Sequence, residues 1–218
     1  MDAIKCIETR SSVRRFKPDS VPQRLLEQVL EAARWAPSYK NTQPWEVVVV
    51  SGEKKDGLSR LLTGLLEEDA PSQPDISHPT SWPEAIERRM NEHLLKRLSA
   101  MGVDLNDPAM RKRSKLANFR FYGAPHAIFL YQDAGLTPWS IFDLGLFAQS
   151  LMLAAHALGL GTVPQAFLTD YAPQVKEYLG IPANKRLVLG ISTGYPDIRE
   201  NDFRSTRMPV SEFTTWLE

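Results

Sequence analysis

The chain has 218 residues, with 26 Lys and Arg against 26 Asp and Glu, so its net charge is zero. That length suits one sizeable core, and the balanced charge argues against a general nucleic-acid binder, which would show a basic excess. The one cysteine, Cys6, allows no intrachain disulfide and fits a reducing compartment, and the four scattered histidines lack the spacing of a zinc site.

The N-terminus, Met1-Asp2-Ala3-Ile4-Lys5, has no apolar run behind a basic start and does not read as a secretory signal. A helix is predicted from Asp19 or Ser20. Ser20 with Gln23 forms a capping-box pattern, and Pro22 falls in the first turn. Leu25, Leu26, Val29, Leu30 and Ala33 share one face of this helix, and Pro37 marks its end. Trp45 to Val50 is β-branched and bounded by turn residues, so it reads as a strand. A short amphipathic helix follows, with Leu58, Leu61, Leu62 and Leu65 in register.

Residues 69–83 scatter Pro71, Pro74, Pro79 and Pro83 among serines and aspartates, as a loop does. Glu84 to Leu98 reads as a charged helix with Ile86, Met90 and Leu94 at spacing four. The block 69–118 is therefore an excursion from a single domain covering 1–218, a lid or a partner-binding arm. Ala127 to Tyr131 is a second strand. Ser140 to Leu158 is a long helix, apolar on most sides, which implies burial within one subunit or an interface between subunits. Trp139 to Leu160 is interrupted by Asp143, Gln149 and His156, too polar for a membrane span, so the protein is expected to be cytoplasmic with no membrane partner. Arg186 to Ser192 is the third clear strand. Val210, Phe213 and Trp216 at spacing three offer apolar surface for docking a C-terminal arm.

Four segments carry chemistry. In Arg10-Ser11-Ser12-Val13-Arg14-Arg15-Phe16, guanidinium forks and hydroxyls suit a phosphate monoester, and Arg204 or Arg207 far downstream offers further cations. The same run also suits a solvated charged surface. In Ala36-Pro37-Ser38-Tyr39-Lys40-Asn41-Thr42-Gln43-Pro44-Trp45, a hydroxyl, two amides and turn backbone suit a flat ring rich in heteroatoms, although Pro37, Asn41 and Pro44 are also ordinary turn residues. Gly159-Leu160-Gly161-Thr162-Val163-Pro164-Gln165-Ala166 begins as a helix C-cap. Gly190-Ile191-Ser192-Thr193-Gly194-Tyr195-Pro196-Asp197 is the fourth.

Together, in this order, these segments resemble the flavin-binding signature of the nitroreductase family. The resemblance implies an α+β, three-layer fold: a small, mostly antiparallel sheet flanked by helices, in an intertwined homodimer with two sites for flavin mononucleotide (FMN) at its interface. It implies cofactor contacts from Arg10, Ser11, Ser12, Arg14, Pro37, Ser38, Asn41, Gln43, Pro164, Gln165, Ala166, Arg204 and Arg207. Of these, Arg10, Ser12, Arg14, Pro164, Gln165 and Arg207 would come from one subunit, and Pro37, Ser38 and Asn41 from the other. No side chain is expected to be catalytic and no metal is implied. The reactive centre is the flavin N5, faced by a backbone N–H near Gln165, and the cofactor does the hard chemistry. Arg14, or Arg10 in its place, would stabilise negative charge near N1 and O2. Ser11 and Ser205 stand where many members carry a basic residue.

The implied activity is ping-pong hydride transfer from NADPH or NADH to a nitroaromatic, quinone or similar small electrophile. Trp82-Pro83-Glu84, Arg88-Arg89 and Asn118 to Pro125 resemble a subgroup with a long lid that includes reductases of nitroaromatic acids. Trp82, Phe119, Phe121 and Tyr122 are then candidates for stacking on a flat acceptor, and Arg88, Arg89 and Lys115 for attracting an acidic one. Two alternatives stand beside this reading. One is a flavin-dependent enone reductase or an oxygen-using dehydrogenase on the same fold. The other is a non-enzymatic binding module for an acidic partner.

Overall fold

The fold grows outward from two strands whose residues are buried on both faces. In the computed structural model, which describes residues 2–100, 109–197 and 203–218, β2 (His126–Asp133) and β4 (Lys185–Gly194) lie side by side at the centre of a four-stranded sheet. β1 (Glu46–Ser51) pairs with β2, and β3 (Gly161–Gln165) with β4, so the order is β1-β2-β4-β3 and every pairing is antiparallel. Successive side chains of a strand point to opposite faces. Ala127 and Phe129 accordingly join one cluster with Leu58 and Leu62 of α3 (Gly52–Glu67) and Val175 of α7 (Ala172–Leu179). Ile128 and Leu130 join a second with Val29 of α2 (Gln23–Ala33) and Leu144 and Leu151 of α6 (Pro138–Ala157). Helices on both faces of the sheet give the three layers the resemblance implies.

The chain forms two compact units, one of Met1–His78 with Arg111–Ile198 and the other of Pro79–Met110 with Arg199–Glu218. The second unit contains all of α4 (Glu84–Ala100), where Leu98 is buried and Met90 and Leu94 are exposed. In the tail, Val210, Phe213 and Trp216 are exposed as well.

Several elements differ from the sequence reading. α2 starts at Gln23, not at Asp19 or Ser20, and no side chain caps it. The reason is His126. Its Nε2 accepts the Val21 N–H at 2.9 Å and lies 3.4 Å from the Ser20 hydroxyl, so Ser20 faces the sheet rather than the first turn of the helix. β3 reads in the sequence as the sequel to a C-cap, because Gly161 and Pro164 look like punctuation. Gly159 does close α6 in a left-handed conformation (φ +80), with Leu160 N–H donating to Ala155 and Gly159 N–H to His156. The chain then extends at the sheet edge, where a proline is tolerated. α1 (Ala3–Thr9), capped by the Asp2 carboxylate, α5 (Met110–Phe119) and α7 carry too short an apolar period to stand out.

Among the described residues, α6 is the one helix long and apolar enough to cross a membrane by length and composition. It lies instead along the sheet, burying Asp143, Leu144, Phe147, Leu151 and Ala155. Its other side leaves Trp139 and Phe142 69% and 61% exposed.

His126 gives the fold an acid limit. Burial first, and then the nearby Lys55 charge, push its pKa below the ordinary histidine value. An Nε2 that accepts from Val21 also requires a neutral ring with its proton on Nδ1. A depressed folded-state pKa means that protonation favours the unfolded chain. The stabilisation is complete above the unfolded pKa of about 6.5 and is lost as pH falls through the folded value. The melting temperature should therefore drop between pH 7 and pH 5. His126→Gln, which keeps an acceptor for Val21 without titrating, should flatten that drop; equal slopes for the two proteins would remove His126 as its source.

Candidate functional site

The basic segment is built onto the outer edge of β3. Ser12 bridges Thr162 in parallel, with Val13 N–H donating to the Thr162 carbonyl at 3.0 Å. Val13 presses against Gly161, where an added Cβ would lie 2.8 Å from a Val13 methyl, so only glycine permits this approach. Further along, Phe16 bridges Pro196, and Lys17 N–H donates to Tyr195. Arg15 pairs with Asp197, Nε to Oδ2 at 3.1 Å. Arg14 forms no ion pair among the described residues; its Nη1 reaches the Ser12 carbonyl at 3.4 Å. Arg10, Ser11, Ser12 and Arg14 are all half-buried, in the range where a guanidinium still meets a ligand but is less screened by water.

β3 then supplies a flat ledge. Pro164 and Ala166 are exposed on either side of a buried Gln165. The Gln165 side chain is fully engaged: Nε2 donates to the Asn118 carbonyl (3.0 Å) and Oδ1 (3.1 Å), and Oε1 accepts from the Ser192 hydroxyl. Asn118 and Ser192 are positioning residues that the sequence reading left unassigned, since nothing in their spacing links them to Gln165.

The second segment is anchored elsewhere. Lys40, Asn41 and Gln43 all have positive φ (49, 59 and 45°). Non-glycine residues in this region are strained, and such strain persists only where surrounding structure imposes it. Two bonds impose it here. The Tyr39 N–H donates to both oxygens of Asp143 (3.3 and 3.2 Å), and the Gln43 N–H donates to Ser38 Oγ at 3.0 Å. Trp45 stacks on Phe147 at 4.9 Å, fixing the entry to β1 against α6. Pro37, Asn41 and Gln43 are exposed and Ser38 is half-buried. Asp143 is 3% exposed, a lone acid inside an apolar helix. That isolation was its signal in the sequence, because a carboxylate enters a core only with a partner.

The sheet register sets the separation of the two segments within one chain. Ser12, Thr162, Thr193, His126 and Ser51 lie in one row across the sheet, whereas the segment ending at Trp45 enters β1 at its opposite end. At about 4.8 Å per strand and 3.4 Å per residue, Ser12 and Glu46 are roughly 25 Å apart. Within one chain Ser12 and the point where the second segment enters β1 thus lie at opposite corners of the sheet.

Two of the stacking candidates are corrected. Phe119 and Phe121 are fully buried, one tilted against Tyr171 and the other edge-on to Phe129. They fill the core and offer no face to a ligand, because side chains of β2, α3 and α7 close over both rings. Tyr122 is half-buried against the same cluster, and Trp82, in the second unit, is exposed. Arg204 and Arg207 lie exposed in the tail, where Arg207 Nη1 donates to the carbonyls of Ser205 and Thr206.

This donor set fits an FMN-like group. Half-buried guanidiniums and hydroxyls suit the phosphate, the ledge at 164–166 suits a flat ring, and the strained amide loop suits ring heteroatoms. The comparisons agree. A model of the Nitroreductase family matches residues 7–195. A 4-nitrobenzoate reductase from Pseudomonas putida is 36% identical over 97% of this chain and 93% of its own length. The crystal structure of the FMN-dependent nitroreductase NfnB from Mycobacterium smegmatis in complex with NADPH superposes with a TM-score of 0.94 at 34% identity, covering 99% of this chain and 98% of that one. An FMN and NADPH-dependent nitroreductase NfnB from Sphigopyxis sp. strain HMH gives 0.95 at 27% identity over the whole of both chains.

Proposed function

Because the chain belongs to the nitroreductase family, we propose that it is an FMN-dependent NAD(P)H oxidoreductase that reduces nitroaromatics, quinones or similar electrophiles. Bound FMN would supply the hydride chemistry, at N5, that links NADPH or NADH to the acceptor in a ping-pong exchange. The protein binds and orients it. Arg10, Ser12 and Arg14 would hold the phosphate, with Ser11 beside them, and Arg14, or Arg10 in its place, would supply the cation for the electron-rich edge of the ring. Pro164, Gln165 and Ala166 would offer the ring backbone, and Ser38, Asn41 and Gln43 its heteroatoms polar partners, with Pro37 setting their turn. Arg204 and Arg207 are the reserve cations of the tail.

The working unit proposed is a cytoplasmic homodimer. Its support is the separation of roughly 25 Å between Ser12 and the entry to β1 at Glu46, which a second copy removes by bringing its own 37–43 loop to the first copy's β3 edge. The exposed Trp139 and Phe142 on α6 supply apolar surface for such a contact. Residues 69–118 are the candidate lid within the single domain 1–218, and Trp82 and Tyr122 remain its aromatic candidates. Both roots of this block, at Ser72 to His78 and at Lys115, are tied to Asp170.

The observation that carries the reading is the Arg10 to Arg14 segment laid along the β3 ledge. An absorbance spectrum of the purified protein tests it. Flavin bands should be present, or appear on incubation with FMN, bleach on anaerobic addition of NADPH or NADH, and return on addition of a nitroaromatic. Absence of bands after incubation would promote the binding-module alternative. Bands that do not bleach would point to a flavin reduced by its own substrate, as in an oxygen-using dehydrogenase.

A further inference from the structure

The 3-10 turn Ala166–Thr169 continues directly from β3, and it ends on the most buried acid of the site region. Asp170 is 1% exposed and fully engaged. Oδ1 takes His78 Nε2 at 2.8 Å, and Oδ2 takes Lys115 Nζ at 3.1 Å. The Asp170 N–H donates to Phe167 at 3.1 Å, and its carbonyl accepts from Gln73 N–H at 2.7 Å and from the Ser72 hydroxyl at 3.2 Å. Phe167, by contrast, is 37% exposed, one residue beyond the ledge. Lys115 Nζ lies 5.4 Å from the centre of its ring, and the His78 ring meets it edge-on at 6.1 Å.

This arrangement differs from ion pairs made on open carboxylates elsewhere among the described residues. Lys185 with Glu46 and Lys55 with Asp56 pair with half- or mostly exposed carboxylates, which water also solvates. Asp170 is covered, so the cluster presents donor heads to solvent rather than oxygens. An ammonium has three N–H groups. One is held by Asp170 and the charge rests over Phe167, which fixes the head in place while a third of the lysine side chain remains exposed. A fixed cation beside an exposed aromatic ring, at the end of the flavin ledge, matches a flat acceptor that carries an anionic substituent.

We infer that Lys115, held on Asp170 beside Phe167, selects acidic aromatic acceptors: Lys115 takes the carboxylate of a nitroaromatic acid while Phe167 packs on its ring. This rests on the nitroreductase reading above and adds to it the substrate class and the residue that sets it.

The test compares kcat/KM for 4-nitrobenzoate with that for its neutral analogue 4-nitrobenzamide, in the FMN-loaded enzyme. The wild type should prefer the acid, and the preference should weaken as salt is raised. Lys115→Met and Lys115→Gln should lower the acid-to-amide ratio about five- to tenfold, chiefly through KM for the acid, and Lys115→Arg should restore most of it. Gln retains a donor for Asp170, so it separates loss of charge from loss of folding, which the bound flavin spectrum monitors. A wild type that reduces both compounds without preferring the acid overturns the inference and leaves the reductase reading intact, whatever the variants do. So does a ratio that Lys115→Gln leaves unchanged. A wild type that binds FMN and reduces neither compound, nor a quinone, overturns both.

Discussion

Replacing Arg10 and Arg14 together by Ala lowers FMN affinity by about two orders of magnitude or more, with the fold retained. Each guanidinium offers charge-assisted hydrogen bonds to a phosphate, worth about 1.5–3 kcal/mol apiece. A tenfold change in binding corresponds to about 1.4 kcal/mol, so two such losses compound to a hundredfold or more. The structure separates these residues from their neighbour. Arg15 is committed to Asp197 and pins the segment between β3 and Tyr195, so Arg15→Ala should cost stability first. Arg14 has no such ionic commitment among the described residues. Flavin fluorescence titration gives the affinity, and far-ultraviolet circular dichroism with a melting curve gives the fold. Affinity retained within threefold would place the phosphate elsewhere, with the tail cations Arg204 and Arg207 next in line.

What the sequence makes legible here follows from range. Periodicity is a local signal, and it placed α2, β1, α3, β2, α6 and β4 because each buries one repeating face or a continuous apolar run. It missed β3, whose only reason to be extended is pairing with β4 on one side and Ser12 on the other. It also set the start of α2 too early, since the competing partner of Ser20 and Val21 is a histidine more than a hundred residues away. The site divides in the same way. Residues with surface chemistry, the arginines and the strained turn, were visible as motifs. Residues acting through others, such as Asn118 behind Gln165 and Asp170 behind Lys115, were not. Phe119 and Phe121 show the reverse error: aromatic residues near a lid suggest a ligand wall, but a helix end and turn beside a central strand need large side chains to fill the core.

Asp143→Ala should loosen the 38–43 loop and lower FMN affinity about tenfold, because it removes both acceptors of the Tyr39 N–H. A hydrogen bond to a charged group contributes about 1.5–3 kcal/mol, and here it offsets the strain of Lys40, Asn41 and Gln43. Hydrogen exchange at the Tyr39 amide reports the local change, and Asp143→Asn, which keeps one acceptor, should recover much of the loss. Unchanged exchange and affinity would mean that the loop is held without Asp143. The same variant decides where the site is assembled. Consider a mixed dimer of one Arg10→Ala, Arg14→Ala subunit and one Asp143→Ala subunit. If each site takes its arginines from one copy and its 38–43 loop from the other, one site carries every lesion and the second carries none, so half the flavin binds with wild-type affinity. If each site is built within one chain, both are damaged and no tight binding survives. Opposite corners of the sheet lead us to expect the first result, since with Ser12 and Glu46 roughly 25 Å apart in one chain the two segments converge on one ligand only when another copy supplies the second.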